Sequence, residues 1–248
     1  MLDFRSARFD YEPYPVGMVK PALDDALYAR LVESYPDRAL FEWKPALGNK
    51  YSLSEVNHPA EYRRFIETSP DWRAFHAYIK GQEFVPRVLD FLAKQQVDLG
   101  LRRYRVVSQR PADSKASLWS RVRRKAELSA RFEFSMMGAD GGHILPHTDA
   151  PNKLITLVFS MMRPGEWDDA WGGGTDVVLP SDRTRVYNQV NRSLPFAEVD
   201  VLKTWEFSPN QCLVFVKTFN SWHSVSPMRG AGSTALRRTL TVNIEAKA

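Results

Sequence analysis

The chain has 248 residues, of which 44% are hydrophobic and 25% are charged, a balance typical of folded globular proteins and not of disordered ones. Its single cysteine, Cys212, excludes an intramolecular disulfide and any zinc site built from several cysteines. Lysine and arginine together number 34 against 29 acidic residues, a net charge of +5. This moderate excess favours anionic substrates or partners, but nucleic acid is not an expected partner.

The N-terminal stretch MLDFRSARFDYEPYPVG carries acidic residues and no apolar run of signal-peptide length. No uncharged apolar stretch of about 18 residues, the length needed to span a membrane, occurs elsewhere in the sequence. We therefore expect a cytoplasmic protein without a membrane partner.

Apolar residues recur at helical spacing between Pro21 and about Gly100. One apolar stripe covers residues 23–32, and a second pattern covers residues 62–79, with Pro70 and Asp71 at the start of a helix. The run VPRVLDFLAKQQV, residues 85–97, predicts a further helix that ends near Gly100. Residues 1–100 are thus expected to be mainly helical.

A basic segment follows the predicted helices. Residues 101–125 carry nine basic side chains against one acidic side chain, Asp113. Such a segment could steer an anionic substrate, or it could be a solvated surface insertion. A second polar segment, residues 181–200, is a candidate rim or lid loop.

The second half of the chain consists of short β-rich runs separated by turns. These runs are RFEFSMM, KLITLVFSMM, TDVVLP, VLKTWEF, QCLVFVK, WHSVSP and RRTLTVNIEA. The turn at residues 208–211 predicts a hairpin over Val201–Lys217. We expect a β-rich α+β fold, a jelly roll or barrel with the helices on its outer face. Residues 1–100 would support a β core at 131–248, and residues 101–130 would form an insertion within this one domain.

The most informative polar residues are His147 and Asp149, in the segment PHTDA. Residues two apart in a strand point to the same side, so the imidazole and the carboxylate can meet at one metal ion. His223, in the strand-like run WHSVSP, can supply a third ligand. Each histidine alone would more often be a hydrogen-bonded core residue. Together the three predict the two-histidine, one-carboxylate triad of non-haem iron oxygenases, which leaves three coordination positions open.

The order of these motifs resembles the Fe(II)- and 2-oxoglutarate-dependent dioxygenases, in particular their prolyl-4-hydroxylase-like branch. The matching segments are HILPHTDAPNKLITLVFSM, WGGGTDVVLP, NQCLVFVKTFNSWHSVSPM and RRTLTVNI. They run in order from about Phe132 to Ile244 and do not include the helical N-terminal part. The resemblance implies a double-stranded β-helix, a cupin-like jelly roll.

The resemblance also implies a chemistry. Fe(II) held by the triad would act with 2-oxoglutarate and O₂, forming succinate and CO₂ and, by default, hydroxylating an unactivated C–H bond of a small molecule or peptide. An arginine would bind the distal carboxylate of 2-oxoglutarate, a geometry that suits the guanidinium. Alternation along the last strand places Arg237 on the polar interior face and Arg238 on the apolar face. Arg237 is therefore our first choice and Arg238 the reserve.

Two other functions remain open at this point. A zinc-dependent hydrolase or lyase could use the same triad, and a catalytically silent β-barrel could bind a ligand or partner. The paired arginines after His223 favour the oxygenase, because a zinc hydrolase has no need of them and we identify no general base.

Overall fold

The computed structural model describes residues 2–101, 103–107 and 126–246. Its four α-helices are α1 Asp25–Glu33, α2 Pro59–Thr68, α3 Pro70–Lys80 and α4 Phe84–Lys94. Its first seven strands are β1 Arg8–Asp10, β2 Val16–Val19, β3 Glu42–Lys44, β4 Lys50–Ser54, β5 Tyr104–Val106, β6 Ala126–Gly138 and β7 Ile144–His147. The others are β8 Lys153–Ser160, β9 Thr175–Pro180, β10 Val199–Trp205, β11 Cys212–Val216, β12 His223–Val225 and β13 Leu236–Ala246.

The strands form two sheets. The larger has the order β1-β2-β11-β8-β13-β6-β4-β3, with β5 added in parallel to β6, and the smaller has the order β10-β9-β12-β7. Val177 of the smaller sheet packs with Leu213 and Phe215 of the larger one, so the two sheets face each other. This is the β-rich jelly roll expected from the sequence.

The helices cover the outer face of the larger sheet, as predicted. Leu240, Val242 and Ile244 of β13 are fully buried in one apolar core that includes Trp72 of α3. The Trp72 ring meets Phe134 of β6 edge to face, with ring centroids 4.7 Å apart. Burying one such side chain stabilises the fold by about 1.5–3 kcal/mol. This packing leaves the other face of β13 free to line the interior.

The predicted hairpin over Val201–Lys217 is wrong. Strand β10 pairs with β9 in the smaller sheet, whereas β11 pairs with β2 and β8 in the larger one. Strand β11 is buried along its whole length, while most of β10 is exposed. Between them, Asn210 exchanges two side-chain hydrogen bonds with the backbone of Leu23, so the turn directs the chain from one sheet to the other.

The N-terminal half contributes strands that helical periodicity did not predict. Strand β2 extends the larger sheet beside β11, and β4 extends it beside β6. Of the basic segment, Arg105 lies on β5 and forms an ion pair with Glu127. Residues 102 and 108–125 of that segment lie outside the described residues. Within the described part of the chain, no helix has the length and apolar character to span a membrane.

Candidate metal centre

The three predicted ligands meet at one end of the space between the sheets. His147 is the last residue of β7 and lies opposite His223, the first residue of β12, in the ladder between these strands. The two imidazole centroids are 4.3 Å apart. Asp149 Oδ1 lies 3.6 Å from His147 Nε2, and Asp149 Oδ2 lies 3.9 Å from His223 Nε2. One ligand atom from each residue lies within 4.8 Å of the others, close enough to share one ion.

The position of the Asp149 carboxylate does not follow from strand alternation, in contrast to the sequence prediction. Strand β7 ends at His147, and Asp149 has a φ of +70°, in the left-handed region that side chains other than glycine seldom adopt. The chain therefore turns sharply after His147 and brings the carboxylate back toward it. Unusual backbone of this kind concentrates at functional sites.

Both imidazoles are oriented by backbone carbonyl groups. His147 Nδ1 lies 2.9 Å from the Leu145 carbonyl oxygen, and His223 Nδ1 lies 2.8 Å from the Ser221 carbonyl oxygen. A carbonyl only accepts, so in each neutral ring Nδ1 carries the proton and Nε2 keeps a free lone pair. This is the outer hydrogen bond usual for metal-binding histidines.

The electrostatics of the site favour the protonation states of metal ligands. Burial raises the pKa of Asp149, but the neighbouring Lys153 and the two histidines outweigh burial and hold that pKa well below its ordinary value. Burial and the adjacent His147 lower the pKa of His223 to about 3. Asp149 is therefore anionic and His223 neutral at neutral pH, as metal binding requires.

A cavity of about 110 Å³ extends from the triad between the sheets, and Arg237 lines it. Arg237 is 4% exposed, donates from Nε to the Gly173 carbonyl oxygen at 2.6 Å, and has its guanidinium carbon 4.4 Å from the centre of the Phe207 ring. Burial lowers its pKa to about 10, so it stays charged at neutral pH. None of the described carboxylates forms an ion pair with it.

Arg238 lies on the opposite face of β13. It forms an ion pair with Glu166, and its guanidinium carbon lies 5.6 Å from the centre of the Tyr35 ring. Strand alternation therefore separates the two arginines as expected. Only Arg237 faces the cavity that contains the triad.

Among the polar residues of this cavity, sequence reasoning missed several, including Lys50, Lys153 and Thr156. Lys153 forms an ion pair with Asp149, and Thr156 donates a hydrogen bond to its other oxygen. Alternation along β8 could have indicated Thr156. No local signal indicates Lys50, because its place in the cavity depends on the pairing of β4 with β6.

Comparisons with solved structures agree with this architecture. The epimerase SnoN in complex with Fe³⁺, alpha-ketoglutarate and nogalamycin RO is 12% identical, with a TM-score of 0.50, over 93% of this chain and 78% of that one. A prolyl-4-hydroxylase from Pseudomonas putida is 13% identical, with a TM-score of 0.49, over 96% of each chain. At 12% identity the likeness to the SnoN structure concerns the fold, a double-stranded β-helix.

The comparison with protein families is more specific. No curated protein sequence matches the chain. Residues 132–245 match the family model of the 2OG-Fe(II) oxygenase superfamily, a segment that contains His147, Asp149, His223 and Arg237. Over residues 132–245 the chain therefore matches the 2OG-Fe(II) oxygenase superfamily.

Proposed function

We propose that this protein is a hydroxylase that uses Fe(II), 2-oxoglutarate and O₂ to oxidise an unactivated C–H bond of a small molecule or peptide. One observation carries the proposal. The cavity that begins at two histidines and an aspartate also contains Arg237, a buried guanidinium with no carboxylate partner among the described residues. A metal site and an anion site within one cavity suit a chelating ligand with a distal carboxylate.

The donor set fits iron. Two neutral imidazoles and one carboxylate form the facial triad of non-haem Fe(II) oxygenases, and His147, Asp149 and His223 would be the ligands. Bound there, Fe(II) supplies O₂ activation coupled to oxidative decarboxylation of 2-oxoglutarate to succinate and CO₂. Because Asp149 is present as the carboxylate ligand, a halide has no vacated ligand position to occupy. Hydroxylation is therefore the favoured outcome over halogenation.

Four residues of the chain would bind the metal and 2-oxoglutarate. The two Nε2 atoms donate lone pairs, and the Asp149 carboxylate contributes the negative charge that balances part of the metal's charge. Arg237 binds the distal carboxylate of 2-oxoglutarate, and its burial strengthens this ion pair relative to one in water. The Gly173 carbonyl oxygen and the Phe207 ring keep the guanidinium in place.

The substrate is proposed to carry negative charge. The chain has a net charge of +5. Lys50 and Lys153 line the cavity. They are ion-paired with Glu133 and Asp149, so the support comes from the overall charge. This excess would raise the encounter rate with an anion, an effect that salt screens. An increase of the substrate KM with ionic strength would support this choice, and a salt-independent KM would contradict it.

The cytoplasmic location stays a prediction of the sequence.

Aerobic turnover of 2-oxoglutarate tests the reaction class. Full-length protein with Fe(II), 2-oxoglutarate and a panel of metabolites and peptides should form succinate, measured by NMR, and one compound should gain an oxygen atom, measured by mass spectrometry. Asp149→Ala should abolish both signals while the circular dichroism spectrum persists. Succinate formation equal in wild type and Asp149→Ala would overturn the proposal. Substrate cleavage with Zn(II) and no succinate would favour the hydrolase instead.

A further inference from the structure

We propose that Thr156 and Asn243 form a hydrogen-bonded relay that decides which oxygen of Asp149 is available to the metal. Both are positioning residues in this proposal, since they act through Asp149. The inference rests on the metal site proposed above. It adds to that site two polar residues that are not ligands.

The relay begins with one hydroxyl group between two acceptors. Thr156 Oγ1 lies 3.0 Å from Asp149 Oδ2 and 3.0 Å from Asn243 Oδ1. A threonine hydroxyl has a single proton, so it donates to only one of the two oxygens. At the same time Asn243 Nδ2 is buried and has no hydrogen-bond partner among the described residues.

A rotation of the Asn243 amide by 180° removes the competition for the threonine proton and gives the buried amide nitrogen an acceptor. The amide nitrogen then donates to Thr156 Oγ1, and the threonine proton goes to Asp149 Oδ2. The nitrogen and oxygen of an amide are distinguished only by such networks. The amide oxygen then takes the place of the unpartnered nitrogen, and a buried carbonyl oxygen left unpaired costs less than a buried N–H without an acceptor. The direction of the relay is thus from Asn243 through Thr156 to Asp149.

The backbone holds this relay rigidly. Thr156 of β8 and Asn243 of β13 are directly paired in the ladder between two interior strands of the larger sheet. Thr156 is 3% exposed and Asn243 is 1% exposed. The hydroxyl therefore keeps its position whether or not a metal is bound.

The relay determines which carboxylate oxygen of Asp149 can bind the metal. Asp149 Oδ2 accepts the Thr156 proton, while Oδ1, the oxygen closer to His147, is ion-paired with Lys153. The long lysine side chain can move aside for a metal, whereas the Thr156 hydroxyl is fixed within the sheet, so Oδ1 is the oxygen that remains for the metal. The carboxylate would then bind through one oxygen only. A one-oxygen carboxylate keeps three positions of an octahedral ion open, whereas a two-oxygen carboxylate would occupy one of them.

Co(II) titration of the full-length protein tests the relay without turnover. Thr156→Val removes the hydroxyl and keeps the side-chain shape, while Thr156→Ser keeps the hydroxyl and serves as the matched control. We expect Thr156→Val to weaken Co(II) binding by about tenfold, the lower end for loss of an outer hydrogen bond to a metal ligand. The visible absorption bands of Co(II) bound to Thr156→Val should also change, because the Asp149 carboxylate can then bind through both oxygens. Thr156→Ser should restore affinity and spectrum.

A metal-free measurement complements the titration. In the wild type, NMR should show a side-chain amide proton of Asn243 that exchanges slowly with solvent, and Thr156→Val should make it exchange faster. Wild-type Co(II) affinity, spectrum and amide exchange in Thr156→Val would overturn the relay alone. Equal losses in Thr156→Val and Thr156→Ser would overturn it in favour of a packing role. Failure of the wild type to bind Co(II) would overturn the metal site itself and, with it, the relay.

Discussion

The Nε of Arg237 donates a hydrogen bond to the carbonyl oxygen of Gly173 at a distance of 2.6 Å. Gly173 has a φ of +85°, and a Cβ atom built on it would lie 3.2 Å from Arg237 Cδ and 3.1 Å from both Met228 and Trp167. Only glycine combines this backbone with so close an approach. The turn before β9 therefore positions the guanidinium that we assign to 2-oxoglutarate.

The neighbouring glycine provides a matched control for this contact. Gly172 also has a positive φ, +79°, but a Cβ atom there would meet nothing within 4 Å. Each substitution by alanine should destabilise the protein by about 1–3 kcal/mol through backbone strain. Only Gly173→Ala should in addition weaken 2-oxoglutarate binding severalfold, because it displaces Arg237. Calorimetric titration checks this, and equal affinities in the two variants would contradict it.

The two adjacent arginines should differ in their effect on 2-oxoglutarate binding. Arg237→Ala removes a buried charge from the carboxylate pair and should cost about 2–5 kcal/mol of binding, well over tenfold in affinity. Arg238→Ala breaks a partly exposed ion pair with Glu166 on the other face of β13, so the affinity should stay close to wild type. Titration of 2-oxoglutarate into the Co(II)-loaded proteins measures both. The reverse order would move the assignment to Arg238.

The predicted single domain can be tested by truncation. Residues 1–100 supply β2 beside β11, β4 beside β6, and the helices that cover the apolar face of β13. A fragment of residues 101–248 would expose two unpaired strand edges and that apolar face. We expect it to aggregate, as observed by size-exclusion chromatography, whereas the full chain elutes as a folded species. A monomeric fragment with a cooperative thermal transition would show that the β core folds alone.

Stability should fall in mild acid because of His76. Burial and, to a lesser extent, the nearby Lys80 lower its pKa from 6.5 to about 4, and its Nε2 is buried without a partner among the described residues. The unfolded state therefore binds more protons between pH 6.5 and pH 4, so the free energy of unfolding decreases as the pH falls through this window. Urea midpoints at pH 7 and pH 5 measure the loss.

A substitution separates this effect from the acid sensitivity of other groups. His76→Phe keeps a ring beside Phe132, whose centroid lies 5.3 Å from that of His76, and cannot titrate. The difference between the midpoints at pH 7 and pH 5 should be smaller in His76→Phe than in the wild type. An equal difference in both proteins would show that His76 does not cause the loss.

Much of the site could be predicted from the sequence, since periodicity is a local property. Alternation along β13 separated Arg237 from Arg238, and the order of His147, Asp149 and His223 indicated the metal triad. The helical stripes at residues 23–32 and 62–79 likewise correspond to α1, α2 and α3. In each case the side chains that share a face follow from the geometry of a single strand or helix.

Other features were decided only by the tertiary structure, because they depend on which segments meet. Strands β10 and β11 joined different sheets, although the turn between them looked like that of a hairpin. The carboxylate of Asp149 faces His147 through a left-handed residue and not through strand alternation. Thr156 contacts Asn243 because β8 pairs with β13, across 87 residues of sequence. Strand pairing of this kind depends on burial and hydrogen bonding between distant segments, which no local pattern encodes.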